Sequence, residues 1–255
     1  VETVEIASKK RPDIHLIPYG TTATGEFKIT LGGVKNDCQE FDVALFEKMY
    51  LSVPGVHEVL DGTAAVALVC QLLRDAGKNP LDYKDKIIQG VKSFTGGKRR
   101  SEIIGKTTSD AGNSVIVIDD YAHHPTAIKT TLEGYRQFYK NRKIIVDFMS
   151  HTYSRTQSLL KEFASSFASA DVVILHKIYA SARENIADFN VTGKTLFEET
   201  KNYSDNVHYF EEILDAKDFV QQELNKPLSS EYPDGYLFVT MGAGDNWKLG
   251  KAILA

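Results

Sequence analysis

The chain has 255 residues, of which 25% are charged and 42% hydrophobic, with a formal net charge of -4 at pH 7. That balance fits a water-soluble globular protein long enough for two domains. It excludes a general electrostatic pull toward nucleic acid or an acidic membrane, so an anionic ligand must be held by local donors.

The two cysteines, Cys38 and Cys70, lie in different kinds of segment and are read as reduced thiols. Reduced thiols point to the cytoplasm, and no apolar run approaches the length of a membrane span. The start, Val1-Glu2-Thr3-Val4, has no initiator Met and no signal-peptide architecture. It reads as a cut edge within a longer protein.

In chain order, residues 27–31, turned by Gly32-Gly33, and the run 41–46 suggest antiparallel edge strands. A further strand is expected to end at Val53, before Pro54-Gly55. An apolar helix follows over 64–76, then a second one marked by Ile87, Val91 and Phe94. Thr95-Gly96-Gly97 reads as a linker. Residues 1–97 hold too few elements for an independent core and are expected to be the end of a domain.

From residue 98 onward the pattern alternates. Strands are predicted at 115–118, 143–148, 171–176, 207–210 and 236–241. Between them, Ile128, Leu132, Tyr135 and Tyr139 mark a helix opening at Pro125, and Leu160, Phe163 and Phe167 mark one starting near Arg155. Val220 with Leu224, and Leu249 with Ile253, mark two more. Strand–helix alternation predicts an α/β fold with a doubly wound, mostly parallel sheet.

In open α/β sheets, ligands sit beyond the carboxyl ends of the strands. The first strand runs into Asp119, Asp120, His123 and His124, the second into Ser150, His151 and Arg155, and the last into Gly242-Ala243-Gly244-Asp245. These polar ends are expected to share one crevice. Plainer readings stand beside this one. A histidine can simply cap the helix at Pro125. Asp119 is the expected structural member of its pair, satisfying backbone donors. Arg99 can be a solvated neighbour of Arg100. Thr192-Gly193-Lys194-Thr195 contains the core of a phosphate loop, but Asp188 stands where a glycine is needed, so a helix capped by Thr192 is expected. Gly242-Ala243-Gly244 lacks the third glycine of a dinucleotide fingerprint. His15, His176 and His208 are read as structural or exposed, and no histidine spacing suits a metal.

Several motifs then coincide: Pro54-Gly55-Val56-His57 with Ala64-Ala65, Lys98-Arg99-Arg100, and Asp119-Asp120-Tyr121-Ala122-His123-His124-Pro125-Thr126. Together with His151, Tyr153, Arg155-Thr156 and the late Gly242-Ala243-Gly244-Asp245, in that order, they make a chain that resembles the Mur ligases. The resemblance implies residues 1–97 as the latter part of a central ATP-binding domain and 98–255 as a C-terminal Rossmann-like domain. It implies an ATP- and Mg2+-dependent amide-forming step of peptidoglycan synthesis. The order is nearest to members that join L-alanine to UDP-N-acetylmuramate through an acyl phosphate.

By the same resemblance, His123, His124 and Arg100 would be catalytic, and Asp120 (toward the ribose), Arg100, Glu58 and Asp61 would bind the nucleotide. His151, Arg155, Gly242 and Asp245 would face the amino-acid substrate. The phosphate loop and the magnesium ligands would lie upstream, in missing N-terminal domains, leaving this chain alone inactive. Three positions depart from the pattern: Glu58 and Asp61 replace asparagines that read adenine, and Thr152 replaces an arginine. They keep two alternatives open, a diverged module binding a nucleotide or partner without catalysis and a related ligase that recycles murein peptide.

Overall fold

In the computed structural model, residues 6, 9–35 and 38–255 are described; Val1–Val4 lie outside them. The chain divides into two units, Val1–Phe94 and Thr95–Ala255.

The first unit is a four-stranded sheet in the order β1-β2-β3-β4, from β1 (Tyr19–Gly20), β2 (Phe27–Lys35), β3 (Cys38–Val43) and β4 (Phe46–Leu51). β1 joins β2 in parallel, and the other pairs are antiparallel. Phe27 with Ile29, Phe41 with Val43, and Met49 with Leu51 alternate inward and, with Phe46, are buried, the period expected of strands with one covered face.

Helix α1 (Val56–Asp75) lays Val59, Val66, Ala67 and Cys70 on that layer, and α2 (Lys84–Lys92) adds Ile87, Ile88 and Val91. The unit therefore has a hydrophobic cluster of its own, contrary to the reading that residues 1–97 lack one. A single sheet face covered by one long helix suffices.

Three local expectations change. Gly32-Gly33 does not turn the chain: β2 runs through it with a register slip between Leu31 and Val34. A side chain at Gly32 would stand 2.8 Å from the Glu40 carbonyl oxygen, so glycine serves a bulge here. The run 41–46 is two strands, parted at Ala44–Leu45, whose amides donate to Lys28 and Glu26 carbonyls at 3.0 and 2.9 Å. α1 begins at Val56, well before Ala64, because His57, Glu58 and the exposed Asp61 mask its periodicity in composition. It is 20 residues long, and an 18-residue stretch of it has a mean hydropathy of 1.4, long and apolar enough for a span, but one face is committed to the sheet.

The second unit is a six-stranded sheet in the order β5-β6-β10-β7-β8-β9. Its strands are β5 (Glu102–Thr108), β6 (Ser114–Asp120), β7 (Lys143–Met149), β8 (Val172–Leu175), β9 (Val207–Tyr209) and β10 (Tyr236–Gly242). All pairs are parallel except β5 with β6. Ile116, Ile118, Ile144, Val146, Leu237 and Val239 face a layer made by α3 (Pro125–Phe138), α5 (Leu160–Ser165) and α6 (Gly193–Thr200). Val115, Val117, Ile145, Val172, Tyr236 and Phe238 face α7 (Lys217–Leu224) and α8 (Trp247–Leu254). Both faces are covered, which is why these strands read as unbroken apolar runs.

The antiparallel β5 was not foreseen. Its sequence is interrupted by Gly105, where a side chain would meet Leu254 of α8 at 2.6 Å, and it carries a register slip between Ile103 and Gly105. The helix expected from Arg155 through Phe167 is two, α4 (Tyr153–Ser158) and α5, broken at Leu159.

Candidate active site

β10 lies between β6 and β7, with Met241 opposite Asp120 and Gly242 opposite Met149. The three polar strand ends are therefore neighbours at one edge of the sheet. α3, α4 and α8 begin there, so helix N-termini face the same edge and favour anions.

At the end of β6 both carboxylates hold structure, but the backbone donors expected at Asp119 go to Asp120 instead. Asp120, 5% exposed, accepts the backbone amides of Ser101 (2.7 Å) and Ala122 (2.8 Å). Tyr135 donates to it at 3.4 Å and to Ser101 Oγ at 3.0 Å; burial, then the nearby Asp120 charge, pushes the phenol's pKa well up, so it stays a donor. Asp119 accepts no backbone donor among the described residues; it takes Arg99 Nε and Thr240 Oγ1, both at 2.8 Å. Side-chain parity explains the difference: Asp119 points to the α8 face and Asp120 to the α3 face.

Arg99 is not a solvated bystander. Its Nη2 donates to the Gly242 carbonyl at 2.8 Å, and its guanidinium lies 5.2 Å from the Tyr121 ring centroid. Its own carbonyl receives the Tyr121 amide at 2.8 Å. Arg99 and Ser101 both have left-handed φ values, 56° and 48°, strain held by these bonds. Arg100 is exposed and makes no side-chain hydrogen bond or ion pair among the described residues. Its guanidinium is open to solvent.

His124 is the N-cap of α3, its Nδ1 accepting the Thr126 amide at 3.3 Å; the plain capping role is present. His123 donates through Nδ1 to the Tyr121 carbonyl at 2.9 Å and packs edge-on to that ring.

At the end of β7, Arg155 Nη1 reaches back to the carbonyls of His151 (3.0 Å) and His123 (3.5 Å), linking two of the three loops. His151 faces Tyr179 at 5.7 Å between ring centroids. Desolvation, then the nearby Arg155 and His123, lowers its pKa, so a neutral imidazole is favoured. The peptide between His151 and Thr152 is cis. Thr152 caps α4, accepting the Arg155 amide at 3.4 Å.

Glu184, which sequence reasoning missed, seals that helix start by accepting the Tyr153 and Ser154 amides at 3.0 Å each and the Ser154 hydroxyl. Desolvation pushes its pKa up, but these bonds outweigh it and hold it at about 2. Nothing in its surrounding sequence marked it, because its partners lie about 30 positions away.

At the end of β10, Gly242 has φ 129°, and a side chain there would stand 2.5 Å from the Met149 carbonyl oxygen. Gly244 is similarly pressed on Met149 Sδ at 2.6 Å. Asp245 pairs with Lys248 at 2.6 Å on the first turn of α8.

The decoy loop is a helix start: Thr192 and Thr195 form a reciprocal capping box, and Leu196 is buried. A side chain on Gly193 would meet the His176 carbonyl at 2.2 Å, so that glycine permits close packing. His15 is exposed, His208 half-buried beside Asn206, and His176 fully buried. Glu58 and Asp61 lie on α1 of the other unit, half-buried and exposed. Among the described residues no group of three or more His, Cys, Asp or Glu is placed to hold a metal ion.

A mostly parallel sheet with an antiparallel edge strand, covered by helices on both faces and with polar residues where β6, β10 and β7 end, defines a doubly wound α/β domain. Residues 99–244 match the Mur ligase, glutamate ligase domain, and the chain belongs to the Mur ligase family. It is 43% identical over 254 residues to the UDP-N-acetylmuramate--L-alanine ligase of Treponema pallidum (strain Nichols), covering 99% of this chain and 50% of that protein. With the ligase of the same name from Borreliella burgdorferi it shares 36% over 239 residues, covering 94% and 48%. The chain thus spans about half the length of the curated relatives it matches.

In fold it is similar to the crystal structure of UDP-N-acetylmuramate-alanine ligase MurC from Thermotoga maritima, with a TM-score of 0.63 at 23% identity, covering 89% of this chain and 45% of that one. A structure of MurF from Acinetobacter baumannii gives a TM-score of 0.67 at 18% identity, covering 99% and 50%.

Proposed function

We propose that this chain is the latter half of a ligase that joins L-alanine to UDP-N-acetylmuramate at the expense of ATP, through an acyl phosphate, in peptidoglycan synthesis. The observation that carries the reading is the 43% identity, over nearly the whole chain, to a relative bearing that name. On it, residues 1–97 belong to the central ATP-binding domain and 98–255 form the C-terminal domain.

ATP would supply the phosphoryl group that activates the substrate carboxylate. Such transfer needs positioning and charge neutralisation more than covalent help. Arg100, an unengaged guanidinium among the described residues, suits a phosphate or acyl phosphate. His123 and His124 flank the start of α3, where an oxyanion would also meet backbone donors. Asp120 spends its oxygens on Ser101, Ala122 and Tyr135; a ribose hydroxyl would use a remaining lone pair.

Arg155, braced by two carbonyls, suits the amino acid's carboxylate, and His151 lies beside it. Gly242 and Asp245 would form the wall of that pocket. Glu58 and Asp61 would accept from an adenine amino group. The Mg2+ that such ligases use is assigned to no residue of this chain.

The test is the longer polypeptide containing this chain, given ATP, Mg2+, UDP-N-acetylmuramate and L-alanine. Phosphate release dependent on both substrates is expected, and its absence overturns the reading. Arg100→Ala should cut turnover at least tenfold while leaving the thermal midpoint in place, about 1.4 kcal/mol of transition-state stabilisation.

A further inference from the structure

Asp147 and His176 are charged or chargeable side chains with no solvent exposure, set among the apolar residues facing α7 and α8. His176 Nε2 meets Asp147 Oδ1 at 2.5 Å, and its Nδ1 donates to the Phe210 carbonyl at 2.9 Å. On the other side of Asp147, Asn246 Nδ2 donates to Oδ2 at 3.1 Å and faces the Asp147 and Met241 carbonyls at 3.0 and 2.9 Å. Three acceptors surround that nitrogen, which settles the amide's orientation. Asn246 Oδ1 is left buried with no hydrogen-bond partner.

Stability does not account for this arrangement. A buried ion pair generally gains nothing over a well-packed apolar pair of similar volume, and an orphaned buried carbonyl costs stability. What the network does is connect. It ties the residue after β9 to β8, β7, β10 and the residue that opens α8. Asn246 directly follows Gly242-Ala243-Gly244-Asp245, the turn whose first carbonyl anchors Arg99.

We propose that Asp147, held between His176 and Asn246, is a positioning residue that fixes the Gly242–Asp245 turn, and through it the Arg99 anchor, at the wall of the crevice. The groups facing His176 are Asp147 on β7 and Glu212 beyond β9, the latter paired with Lys177. Asp147 supplies the charge that lets both imidazole nitrogens donate. The structural part of the proposal stands on contacts within this chain; its functional part rests on reading the crevice as a ligase site.

The experiment separates positioning from packing. In the chain of residues 1–255, the paired replacement Asp147→Leu with His176→Leu removes both charges together. The thermal midpoint should hold or rise, while amide hydrogen exchange at Ala243, Gly244 and Asp245 becomes about tenfold faster. Unchanged exchange in a stable double variant overturns the proposal.

Should the double variant fail to fold, Asn246→Ala decides the matter, since it leaves the His176–Asp147 pair in place. Faster exchange confined to the turn supports positioning, and unchanged exchange refutes it. In the longer ligase, Asn246→Ala should raise the KM for the amino acid several-fold with kcat within about twofold. Faster exchange with an unmoved KM would overturn the ligase-site role alone, and leave the positioning of the turn supported.

Discussion

Arg99 Nε and an oxygen of Asp119 meet 2.8 Å apart across 20 positions of sequence, with 22% and 5% of their side chains exposed. Arg99 also holds the Gly242 carbonyl, so one guanidinium joins the segment before β5 to the ends of β6 and β10. Its neighbour Arg100 is left to solvent. Two adjacent arginines thus differ in setting, one tied into the structure and one exposed.

Arg99→Ala should therefore destabilise the second unit by about 2–3 kcal/mol, because Asp119 keeps its charge in a buried site without its cation; partial exposure of the arginine keeps the loss below the fully buried range. Arg100→Ala should change stability by less than about 0.5 kcal/mol. Urea unfolding of both variants checks the contrast, and equal effects would contradict it.

Gly193→Ala should cost several kcal/mol, since its side chain would press on backbone atoms of His176 and Lys177 at 2.2 and 2.8 Å. Gly62→Ala, with nothing within 4 Å inside α1, should stabilise by about 0.5–1 kcal/mol. Thermal unfolding of the pair distinguishes a packing glycine from a phosphate cradle. Lys194→Ala should leave stability and any nucleotide affinity unchanged.

His176 gives a pH dependence with a defined sign. Burial alone would lower its pKa, but the charge and hydrogen bond of Asp147 and the Phe210 carbonyl raise it above the ordinary 6.5. The stabilisation is then fully present below pH 6.5 and is lost as pH climbs through the raised folded value. The thermal midpoint should fall across that alkaline window, and the paired leucine variant should remove the fall. A midpoint flat from about pH 6 to 9 would show that folding leaves the His176 pKa unshifted, and one that rises between about pH 6 and 7 would show that His176 is buried neutral.

Glu184 acts at the acid end. Its folded pKa, about 2 against an ordinary 4.5, means stabilisation present above pH 4.5 and lost as pH falls through about 2. A carboxyl-carbon NMR titration should place its midpoint near that same value. Glu184→Gln should free the first turn of α4, seen as faster exchange of the Tyr153 and Ser154 amides.

His124→Ala should cost about 0.5–1 kcal/mol through loss of the α3 cap, and His124→Asp should keep the cap. A ligase variant that retains stability as His124→Asp but loses turnover would assign the imidazole a chemical role beyond capping.

Most of the second unit was legible because its signals are local. Apolar β-branched runs, Pro125 at a helix start and Thr192 as a cap each act within a few residues. β5 escaped notice because an edge strand broken by Gly105 carries little periodic signal, and because its partner β6 is identified only by pairing. In the first unit, Gly32-Gly33 has the composition of a turn but occupies a bulge; composition alone does not separate the two. Asp147, Glu184 and Asn246 were missed for a common reason, since their importance lies in partners 29, 30 and 99 positions away.

The amino-acid order alone determined the alternation of strands and helices and the polar strand ends, because propensity, capping and hydrophobic period operate over short stretches of chain, and its ordered motifs carried the family resemblance. Only the tertiary structure decided which charges are tied into the fold and which stay exposed. The insertion of β10 between β6 and β7 brings distant side chains within hydrogen-bonding distance. Side-chain parity on each strand then sends Asp119 and Asp147 into the α8 face, while Arg100, in the segment before β5, stays exposed.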